Sequence, residues 1–91
     1  MPEVHHETAL FAGRVQGVGF RYTALDTARE FEVSGFVMNL PDGRVLIEAE
    51  GRAQEVDAFL AAVQERMHGF VRKLERQAHV REAQFSGFAI R

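Results

Sequence analysis

Two alternating runs joined by a Pro-Asp-Gly turn most restrict what this chain can fold into. From Gly35 to Leu40, Phe36, Met38 and Leu40 point one way and Gly35, Val37 and Asn39 the other. From Arg44 to Glu50, Val45, Ile47 and Ala49 turn inward while Glu48 and Glu50 turn out. Between them, Pro41 presets one backbone dihedral and Gly43 permits positive φ. The two runs are therefore expected to form an antiparallel hairpin.

The flanking segments supply a strand and a helix on each side. Thr8 to Val15 carries apolar residues on both faces, as a central strand does. A helix is predicted from about Tyr22 to Phe31, with Leu25 and Ala28 on its buried stripe and Tyr22 and Phe31 extending it. Val56, Phe59, Leu60, Val63 and Met67 recur at i, i+3, i+4, i+7 and i+11, a second helix that Gly69 can stop. After a basic connection from Gly69 to Gln77, His79–Gln84 and Phe85–Ile90 read as final strands. The order β-α-β-β-α-β predicts an α+β chain with a ferredoxin-like α/β sandwich: an antiparallel sheet with both helices on one face. Residues 1–91 are expected to form a single domain, with 1–7 flexible.

At 91 residues and without cysteine, this fold must rest on its apolar core, for which 46% hydrophobic content and eight Phe suffice. No apolar run approaches the roughly 20 residues of a membrane span, and the N-terminus lacks the features of a secretory signal. A cytoplasmic monomer is expected. The net charge of −2 offers nucleic acid no global attraction. Five of the 11 basic residues, Arg66, Arg72, Lys73, Arg76 and Arg81, nevertheless fall in one segment that is either an ordinary solvated surface or draws anions to one side.

Candidate chemistry concentrates in Val15-Gln16-Gly17-Val18-Gly19-Phe20-Arg21, between the first strand and first helix. A strand, a glycine loop and a helix start form a natural anion site, and the planar fork of Arg21 fits two phosphate oxygens. The loop is neither a dinucleotide fingerprint, since Tyr22 occupies the third glycine position, nor a Walker loop. A tight turn without a ligand would explain the two glycines equally well. Asn39 is the second candidate. It is either a strand-end residue leading into the turn or an amide, both donor and acceptor, that holds a water.

Residues 15–21 resemble the signature loop of the acylphosphatases. Gly35-Phe36-Val37-Met38-Asn39-Leu40-Pro41-Asp42-Gly43-Arg44-Val45 resembles that family's second signature, and Phe85-Ser86-Gly87-Phe88-Ala89-Ile90-Arg91 its usual ending. The resemblance covers nearly the whole chain. It implies hydrolysis of small-molecule acyl phosphates to a carboxylate and inorganic phosphate, with no metal or organic cofactor. Carried over by residue, it implies that Arg21 binds the phosphate, that the amides of Gln16, Gly17, Val18, Gly19 and Phe20 cradle its oxygens, and that Asn39 orients the attacking water. Phe36, where the family often has tryptophan, and Glu32, near a frequent glycine, depart from the pattern without touching these residues.

Other residues carry less. His5 and His6 lie in the end expected to be flexible, His68 and His79 read as surface or strand-edge residues, and Phe20 is placed beneath the loop. Two binding-module alternatives share the fold. An RNA-binding domain would carry aromatics on its third strand, whereas Arg44–Glu50 has none and two acids. An anion-sensing domain would bind phosphate without turnover. A module of a larger maturation enzyme is a third alternative, disfavoured because no zinc-type Cys pairs follow.

Overall fold

A computed structural model describes residues 3–91. Five strands and two helices follow in the order β1 (Glu3–Gly13), α1 (Phe20–Ala28), β2 (Val33–Asn39), β3 (Val45–Gly51), α2 (Ala53–Arg66), β4 (Val71–Glu82) and β5 (Phe88–Ile90). The sheet order is β4-β1-β3-β2-β5. Two βαβ crossovers interleave, so β3 is central between β1 and β2, with β4 and β5 at the edges. The hairpin forms in the expected register, with Val37 opposite Ile47 and Asn39 opposite Val45. This is the ferredoxin-like α+β sandwich, with one correction: β5 runs parallel to β2, so the sheet is mixed.

The helices cover one face. Phe11, Val37, Val45 and Ile47 from the sheet meet Val56, Phe59, Leu60 and Val63 from α2, all fully or almost fully buried. The α2 stripe follows the sequence spacing. On α1 the buried residues are Phe20, Ala24, Thr27 and Ala28. The helix starts two residues earlier than expected, its stripe is rotated, and Tyr22 is 74% exposed rather than buried.

Two further expectations change. Glu3 to Glu7, expected to be flexible, belong to β1, while Met1 and Pro2 lie outside the described residues. The register pairs Glu3 with Glu82 and His6 with His79, extending the β1–β4 ladder through this segment. The basic connection is also a strand, since β4 begins at Val71. On the face away from the helices, His6 is buried among Glu48, Glu50, Arg81, His79 and Phe85. One Glu50 carboxylate oxygen accepts the backbone N–H groups of Gln84 (2.7 Å) and Phe85 (3.0 Å). The link from β4 to β5 is thereby tied to that face.

Candidate active site

The candidate residues converge where β1 ends, α1 begins and β2 meets its turn. Gly17 and Gly19 have φ of +77° and +80°, in the left-handed region. A Cβ at either would meet nothing within 4 Å. The requirement is therefore conformational, about 1–2 kcal/mol for another residue, and the space above the loop is open.

That loop leaves its donors free. Among the described residues, none of the amides from 16 to 20 has a backbone acceptor. The first helical bond of α1 runs from the Thr23 N–H to the Gly19 carbonyl at 3.0 Å, so the first-turn amides lack one as well. No acidic residue occupies that turn to offset the positive end of the helix. Beneath it, Phe20 is 2% exposed and meets Phe11 edge to face at 4.9 Å, anchoring the loop to the core.

Asn39 closes the opposite side as the last residue of β2. With Val15, Gly17, Gly19, Phe20, Arg21 and Tyr22 it lines a pocket of about 140 Å³. This is well below the roughly 300–1,000 Å³ of drug-sized sites and suits a small group. Arg21 is exposed and makes no ion pair with any described residue, so its guanidinium is available. No carboxylate or imidazole lines the pocket. Three larger hollows have other linings: those of about 260 and 530 Å³ present Glu75 in one and Glu3 and Glu32 in the other, and one of about 270 Å³ is mainly apolar, its Arg29 paired with Asp26. Among the described residues, no group of three or more His, Cys, Asp or Glu side chains could hold a metal ion.

Two sequence-predicted residues sit differently from the rest. Val18 packs against the core cluster and does not line the pocket. The Gln16 side chain also turns away, its Nε2 donating to the carbonyls of Leu40 (2.8 Å) and Arg44 (3.0 Å). It thus clamps the loop to the β2–β3 turn beside Asn39, a role visible only once the two segments are neighbours. Tyr22 was missed as a pocket residue because its helical spacing suggested burial.

Comparison with known proteins locates this arrangement. The family model described as "Acylphosphatase" matches residues 7–90. The acylphosphatase of Methanospirillum hungatei is 38% identical over 81 residues, covering 89% of this chain and 87% of that protein. The crystal structure of the Bacillus subtilis acylphosphatase superposes with a TM-score of 0.84 at 31% identity, covering 94% of this chain and 97% of that one. An acylphosphatase structure from Coxiella burnetii gives 0.79 at 26% identity, covering 98% and 93%.

Proposed function

The chain belongs to the acylphosphatase family of enzymes, and on that premise we propose that it hydrolyses acyl phosphates at the pocket between the glycine loop and Asn39. The observation that carries this reading is the meeting of Arg21, the free loop amides and Asn39 on one small pocket.

An acyl phosphate already has a good leaving group in its carboxylate, so positioning and charge stabilisation matter more than a strong base. In this scheme Arg21 holds two phosphoryl oxygens through its planar fork, and the loop amides take the rest of the negative charge. Asn39 holds a water in line with the departing carboxylate. The water oxygen bonds to phosphorus as the phosphorus–oxygen bond to the acyl group breaks. The carboxylate leaves with that bonding pair, and the water's proton passes to a phosphoryl oxygen. No side-chain base is used, in keeping with a pocket that no carboxylate or imidazole lines. No metal takes part, and the acting unit is a monomer in the cytoplasm. No helix among the described residues is long and apolar enough to cross a membrane, and a cysteine-free chain suits a reducing compartment.

Arg21→Lys keeps the charge and loses the fork. It should raise the inhibition constant for inorganic phosphate and lower turnover together. Unchanged inhibition by phosphate would remove Arg21 from the anchoring role.

A further inference from the structure

Among the described residues, three basic side chains lack both a carboxylate partner and an aromatic stack, and all three belong to the segments around the pocket loop, Arg14 and Arg21 within it or beside it and Arg72 at the start of β4. Arg29, Arg44, Arg52, Arg66, Lys73, Arg76 and Arg81 each lie within 4 Å of an Asp or Glu oxygen. Arg91 lies over the Phe36 ring, 4.1 Å from its centroid. Arg14, Arg21 and Arg72 remain, all exposed.

Their placement is specific. Arg14 directly precedes Val15, a pocket residue, and its backbone N–H donates to the Phe70 carbonyl at 2.9 Å. That bond draws the start of β4 against the loop. The β1–β4 register then shifts: Ala12 pairs with Lys73 and Gly13 with Val71, leaving Arg72 without a partner on β1. Arg72 is thus the extra residue of a β-bulge, a device that re-aims a side chain. Among acids at this end, Asp42 and Glu75 are held by Arg44 and Lys73. Glu65, in the last turn of α2, is exposed.

We propose that Arg14 and Arg72 form a cationic rim that draws the anionic substrate toward Arg21 without touching the reacting atoms. The proposal rests on the pocket being the acyl-phosphate site. A phosphoryl group carries about −1.5 to −2 charges at pH 7. Unpaired guanidinium groups on the segments flanking the pocket loop raise its local concentration, and added salt screens the effect.

The test is the double variant Arg14→Gln/Arg72→Gln, assayed with acetyl phosphate at low ionic strength and in half-molar salt, alongside Arg14→Lys/Arg72→Lys. At low salt the Gln pair should lower kcat/KM roughly 3- to 10-fold through KM, with kcat unchanged. The difference should vanish at high salt, and the Lys pair should restore the wild-type value. A merely structural role would lower kcat or persist in salt. A Gln pair with the wild-type kcat/KM and salt slope overturns the rim. Absence of wild-type hydrolysis would overturn the proposed function instead. The affinity of the same variants for inorganic phosphate, measured by calorimetry against salt, would then decide the rim separately.

Discussion

Replacing Gln16 with Ala removes both hydrogen bonds that join the glycine loop to the β2–β3 turn, at 2.8 and 3.0 Å. The two carbonyls are not orphaned by the change. Leu40 O still accepts from the Gly43 N–H (3.1 Å), and Arg44 O from the Leu40 N–H (2.8 Å). The loss is therefore that of two neutral bonds at about 0.5–1.5 kcal/mol each, without a buried-acceptor penalty. A total near 2 kcal/mol follows, equivalent to a fall in Tm of roughly 8–16 °C for a domain of this size. The consequence for turnover is larger than for stability, because the clamp sets the loop amides against Asn39. A misplacement of about 1 Å in such a constellation can cost on the order of 100-fold. Thermal unfolding by circular dichroism and steady-state hydrolysis of acetyl phosphate read both effects. Gln16→Met, which keeps the length of the side chain without its donors, should behave like Ala. A variant with unchanged Tm and kcat would refute the clamp.

Two stability predictions concern groups remote from the pocket. Arg76 makes two hydrogen bonds of 2.7 Å to the buried Glu7 carboxylate, and Arg76→Met leaves that charge with His5 alone as a partner, a loss measured by urea unfolding that should fall below the roughly 3–5 kcal/mol of a fully uncompensated buried charge. The Arg76 hydrogen bonds, with His5 adding to them, hold the Glu7 pKa below its usual value. The pair's stabilisation is therefore complete above the ordinary Glu pKa and lost as pH falls through the folded-state value, and Arg76→Met should flatten this acid limb. Burial, reinforced by Arg81 and His79 against Glu48 and Glu50, lowers the His6 pKa. Its stabilisation is then complete above the ordinary His value of about 6.5 and declines as pH falls toward the folded-state value. His6→Gln should flatten the stability profile in that window; a profile parallel to wild type would show that His6 is not its source.

What the sequence revealed depended on whether a signal was local. The hairpin was legible because alternation and turn lie in one stretch, and α2 because Val56, Phe59, Leu60 and Val63 repeat on one face. The β4 strand was not. As an edge strand it half-buries only Val71, Leu74 and Arg81, so Val71–Glu82 shows no apolar alternation, and its pairing with β1 sets its conformation. His6 was misplaced for a similar reason, since its burial depends on β3, β4 and Phe85 closing around it. Around the candidate pocket, Gly17, Gly19, Phe20 and Arg21 stood out as one group because the loop is contiguous, and Asn39 through its motif; the structure brings these residues to one hollow. The Gln16 clamp and the Arg72 bulge depend on which strands become neighbours, and no local pattern announces that.

Hydrolysis of benzoyl phosphate by wild type and Asn39→Ala in the presence of a chelator, with inorganic phosphate binding measured in parallel, separates turnover from binding at the pocket. Wild-type turnover should be rapid and should collapse in Asn39→Ala, while the variant keeps its phosphate affinity. Near-wild-type turnover by Asn39→Ala, or a folded wild-type protein that binds phosphate without cleaving benzoyl phosphate, would contradict the proposed mechanism.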